Sequence, residues 1–146
     1  MLVAVISEAR VVPIPQSFRE VVPLRVAVAL AASGLAATMA THTAVLTGRL
    51  PHTAVSGGRV TDPAAGQRLA VTSSVSLVPV AALVARGAGF AGGSSRAERA
   101  VMGALAVAAL GSVPAQVTGT AFERRFMAPT AAALAVGLGR LALERD

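Results

Sequence analysis

The chain has 146 residues, 54% hydrophobic and only 14% charged, with a mean hydropathy of +0.68. About a quarter of an ordinary soluble domain is charged, so this composition excludes intrinsic disorder and points to lipid, not water, as the solvent. The net charge is +6, and all 13 basic residues are Arg, scattered between apolar runs with four Phe and no Trp or Tyr, which argues against a nucleic-acid surface. The absence of Cys removes disulfides, thiolate metal sites and a Cys nucleophile, and two His are too few for a multi-histidine centre.

Residues 1–25 contain Pro13, Pro15 and Pro23 with mixed charge and read as an irregular tail with one short surface-lying segment. After it, gaps between charges segment the chain, because about 20 uncharged residues cross a hydrocarbon core. The first gap is residues 26–48, closed by Arg25 and Arg49, and the second is residues 69–85, between Arg68 and Arg86. The third is residues 100–122, between Arg99 and Glu123. The fourth, residues 126–139, is short and extends to residue 143 only if Arg140 snorkels its head to the interface. Pro129 suits the first turn of that helix. The expected fold is therefore all-α, an integral membrane four-helix bundle over residues 26–146 with spans at 26–48, 69–85, 100–122 and 126–143. Residues 49–68 and 87–95 read as loops, and Glu123, Arg124 and Arg125 as a tight third connection. A secretory signal over residues 26–37, cleaved after Ala40, is the alternative for the N-terminus; the long segment before it and the length of the apolar run argue against it.

Eight Arg fall on the side of the tail, the second loop and the C-terminus, and five on the other, which places both termini in the cytoplasm of a cell membrane. Gly111, Ala115 and Gly119 on the third helix, and Ala131, Ala135 and Gly139 on the fourth, are expected packing faces. Pro79 and Pro114 should bend their helices.

Placed by depth, the polar residues gather in one half of the membrane. His42 and Gln116 each lie six residues before the end of parallel spans, about 9 Å below one face. Thr72, Ser73, Ser74 and Ser76 enter from that face, Thr130 starts the fourth helix there, and Thr38, Thr41, Thr43 and Thr118 share that half. A buried ionisable residue in a span is costly unless paired, which makes His42 the candidate centre of a polar layer. In one reading it bonds Gln116 or a hydroxyl and holds helices together; in the other it handles a ligand or proton. No carboxylate lies in the four spans to carry coupled protons, and no G-x-S-x-G marks a hydrolase, so no catalytic residue, metal or cofactor is assigned. His52, beside Pro51, reads as a solvated loop residue.

Residues 42–48, a histidine late in the first helix followed by Gly48, and residues 120–129, an Arg-containing loop leading to Pro129, resemble features of a family of uncharacterised bacterial four-helix membrane proteins, domain of unknown function 3995. The aromatics that family carries after the histidine are Ala44 and Val45 in this chain, and its second glycine is Arg49. The resemblance covers the chain from Arg25 onward; it implies the architecture and no activity. The expected role is structural or accessory, with the lipid bilayer and a second copy or a membrane complex as partners; the alternative is a binding or transport module for a small polar ligand or proton. A third reading, a soluble Ala-rich helical bundle, would leave the chain in the aqueous phase after alkaline extraction.

Overall fold

A computed structural model describes residues 16–90 and 92–144, and the structure is helical with no strand among them. The expectations for residues 1–15 and for Arg145 lie outside the described residues. A short α1 (Gln16–Val21) precedes α2 (Leu24–Leu46), α3 (Pro63–Gly87), α4 (Arg96–Val117) and α5 (Ala128–Ala142), the last continued upstream by a π-helical segment, Glu123–Met127. α2, α3 and α4 are each long and apolar enough to cross a membrane.

Local capping moves several boundaries away from the charges. Residues 49–68 are not all loop: Asp62 accepts the N–H groups of Ala64 at 3.2 Å and Ala65 at 3.0 Å, Pro63 occupies the first turn, and α3 starts there. α4 likewise starts before the third charge gap, because Ser95 and Glu98 form a reciprocal capping box. The third connection is not Glu123–Arg125, which lies inside the π segment; the turn falls on residues 118–120. Ala128 N–H bonds back to the Glu123 carbonyl, and this widened turn sits directly before Pro129. Pro79 and Pro114 lie inside α3 and α4, which continue through them.

α5 is the central element, packed against α2 on one side and α4 on the other, while α3 lies mainly against α2. The α2–α5 approach depends on small residues. A Cβ on Gly137 would stand 2.5 Å from the Ala31 nitrogen and 2.7 Å from the Ala27 carbonyl oxygen, and one on Gly34 would stand 3.0 Å from Leu134 Cβ. On its other side α5 meets α4 through Gly139 against Ala106 and Ala142 against Gly103. Ala131 and Ala135 are buried, as a packing face requires, but Gly111 and Ala115 point outward from α4, and Gly119 lies beyond its end. α4 packs through Met102 and Ala106 instead, which join Ala31, Leu35, Val84, Leu138 and Leu141 in one apolar cluster. That cluster occupies the half of the molecule that holds the starts of α2 and α4 and the ends of α3 and α5.

The same end carries a guanidinium network. Arg140 does not snorkel outward: it is 6% exposed, its Nε donates to the Val22 carbonyl at 2.9 Å, and it pairs with Glu144. Arg19 of α1 donates to the Leu143 carbonyl, and Arg86 pairs with Glu98 at 2.7 Å. The bonds to Val22 and Leu143 satisfy carbonyls that the helix ends leave open.

Replacing Gly137 by Ala drives a methyl group into the α2 backbone and is expected to cost about 1–3 kcal/mol. Gly111→Ala, which meets open space, should be neutral or stabilising by up to about 1 kcal/mol. Thermal unfolding in detergent followed by circular dichroism checks both.

Candidate functional site

The hydroxyls of the expected polar layer are satisfied mostly within their own helices. Thr38 donates to the Gly34 carbonyl at 2.8 Å, Thr41 to Ala37 at 2.9 Å, Ser76 to Thr72 at 2.8 Å and Thr118 to Pro114 at 3.1 Å. Such back-bonding lets a hydroxyl sit in an apolar setting without a partner on another helix. Gln116 Nε2 donates to Ser112 Oγ at 3.1 Å on the same helix, and its Oε1 is buried without a partner, as is Ser74 Oγ. His42 is half-buried and makes no hydrogen bond among the described residues. No hydrogen bond joins it to Gln116, and α2 and α4 each pack mainly against α5. Thr72 and Ser76 are exposed on α3, and Ser73 is half-buried beside them. Thr41 and Thr130, with Met127, do share one groove between α2 and the last helix.

The polar chemistry concentrates instead where the loop after α2 meets the start of the last helix. Thr120 and Glu123 cap that helix reciprocally: the Thr120 hydroxyl accepts Glu123 N–H at 3.2 Å, and Glu123 Oε2 accepts Thr120 N–H at 2.9 Å. The same two side chains reach across to the loop. Glu123 is 5% exposed and its carboxylate accepts the Gly57 N–H, at 2.8 Å to Oε1 and 3.0 Å to Oε2; the Thr120 hydroxyl donates to the Ala54 carbonyl at 2.6 Å. The carboxylate is thus held by backbone donors at a helix N-terminus, where negative charge is favoured. Gly57 itself has φ +65°, which a side chain would strain, and Gly119 must lack a Cβ because one would run into the Glu123 carboxylate.

A second tie holds the other end of the loop. His52 is not freely solvated: Nε2 donates to the Thr61 carbonyl at 3.1 Å, and the ring rests on Gly66 of α3, where a Cβ would stand 2.5 Å from His52 Cβ. The loop is therefore a docked cap over one end of the helices, with Gly48 (φ +71°) turning the chain out of α2 and Leu50 N–H returning to the Ala44 carbonyl at 3.0 Å. The arrangement works as a mechanical latch, with a carboxylate, a hydroxyl and an imidazole each engaged by loop backbone groups. Sequence reading took Glu123 as a boundary charge; the Thr120-Ala121-Phe122-Glu123 spacing, a capping box, is the signal that marks it.

Comparison of the chain with known proteins finds no matching family model, no matching curated protein and no matching solved structure.

Glu123→Ala removes the charged acceptor of the Gly57 and Thr120 N–H groups and is expected to cost about 1–3 kcal/mol, with Glu123→Gln costing less. Limited proteolysis reads it directly, as faster tryptic cleavage after Arg59. His42→Ala, lacking any bond to lose, should change stability by no more than about 0.5 kcal/mol in the same detergent melts.

Proposed function

We propose that the chain is a small multi-pass integral membrane protein with a structural or accessory role and no catalytic activity of its own. The observation that carries this reading is the outward face of the flanking helices. α3 presents Val71, Val75 and Val78, and α4 presents Val101, Val107 and Leu110, all exposed, with Val107 at 71%. Apolar side chains around a helix that packs on one side only are stable in lipid and costly in water. The last helix, π segment included, is the fourth crossing in this reading, which is the architecture that the resemblance of residues 42–48 and 120–129 implies. The Arg bias puts the termini and the 88–95 connection in the cytoplasm and the latched loop outside. A second copy or a larger membrane complex is the partner that an accessory role calls for. The ligand-binding alternative centred on His42 and Gln116 has less support, because no hydrogen bond joins them and their helices each pack mainly against α5.

The chain has no Cys, so single substitutions report topology without background. In intact cells a membrane-impermeant maleimide should label Thr53→Cys, whereas Phe90→Cys should react only after permeabilisation. Labelling of both from one side would show that α3 does not cross; release of the chain by alkaline extraction would overturn the membrane reading itself.

A further inference from the structure

Two shallow, mainly apolar grooves run along the outer half of α2 and share Ala40, Ala44 and Arg49. One, about 420 Å³, lies between α2 and the last helix, lined by Ala37, Ala40 and Ala44 with Phe126 and Met127 opposite. The other, about 610 Å³, lies on the adjoining face, lined by Ala36, Met39 and the same Ala40 and Ala44. Arg49 stands at the mouth of both. The chain turns through Gly48 to place it there, and its guanidinium makes no hydrogen bond or ion pair among the described residues. The acidic groups of this end are committed elsewhere, Glu123 to Gly57 and Thr120, and Asp62 to Arg68 at 3.7 Å.

We infer that these grooves and Arg49 form a binding site for one anionic diacyl phospholipid, its phosphate on the guanidinium and an acyl chain in each groove. The site has the parts that such a molecule needs: a planar, always-charged donor fork for the phosphate and two apolar channels divided by a low ridge of alanines. The position at the end of α2 is the depth at which a headgroup lies if α2 spans the bilayer, so the inference rests on the proposed membrane location.

The test uses the full chain purified in detergent and native mass spectrometry with added dioleoyl phosphatidylglycerol or dioleoyl phosphatidylcholine. The anionic lipid should be retained in preference to the zwitterionic one, Arg49→Gln should lower its retention about five-fold, and Arg49→Lys should restore part of it. A single-chain lysophosphatidylglycerol should be held more weakly than the diacyl lipid. Equal retention of the two diacyl lipids, indifference to Arg49→Gln, or displacement by inorganic phosphate at the lipid's own concentration overturns the assignment. Arg49 is exposed, so its replacement leaves the fold intact, and an unchanged melting temperature confirms that the variant is compared like for like. If alkaline extraction releases the chain, the membrane reading fails first; if the chain stays in the membrane but shows no lipid preference, this assignment alone fails.

Discussion

The distance at which α2 and α5 run past one another governs the rest of the molecule. With Gly137 set against the backbone of Ala27 and Ala31, the two helices approach as closely as main chain permits, and Gly34 repeats the contact one step further along. In the membrane location proposed above no hydrophobic effect drives helices together, so dispersion between closely approaching backbones carries the association there. α4 and α3 then dock on the remaining surfaces: α4 on the far side of α5 through Met102 and Ala106, α3 along α2.

This scheme leaves the two ends of the molecule with different kinds of cohesion. In the half that holds the starts of α2 and α4 and the ends of α3 and α5, Leu138, Leu141, Met102 and Val84 fill the interior, and guanidiniums of Arg19 and Arg140 close over carbonyls of residues 143 and 22. At the opposite end the buried side chains are fewer and smaller, and cohesion comes from directional bonds: a carboxylate and a hydroxyl at the start of the last helix gripping two loop backbone groups, the Gly57 N–H and the Ala54 carbonyl, and an imidazole resting in a glycine notch. The loop is thus part of what holds the helices in register, although its sequence reads as a connector.

How much of this was legible in the sequence depends on the kind of signal each residue encodes. Charge gaps located the apolar runs of α2, α3 and α4, because Arg and Asp are excluded from lipid-facing stretches whatever the fold. They misplaced the starts of α3 and α4, because a helix begins where Asp62 or Ser95 caps it, and Arg68, Arg96 and Arg99 then ride on the first turns in contact with water. Depth along a helix was readable for His42 and Gln116, since rise per residue is constant. Their mutual distance was not, because it depends on which helices are neighbours, and that is decided by small residues such as Gly137 whose spacing looks the same as that of the unpacked Gly111 and Ala115. Glu123 was hidden for a related reason: a carboxylate between two apolar runs looks like a boundary until the loop that covers it, far away in sequence, is placed.

The π segment gives the last helix a freedom that a uniform α-helix lacks. A turn with one residue more than usual resets the angular phase by about one residue between its upstream and downstream sides. Thr120 before the segment and Glu123 at its first residue aim at the loop; downstream, Ala131, Ala135 and Leu138 aim at the packed interior. The two sets of contacts therefore need not share a single helical face, and each can drift in composition without rotating the other out of place. Pro129, lacking an N–H and placed directly after the wide turn, in the first turn of α5, costs little there.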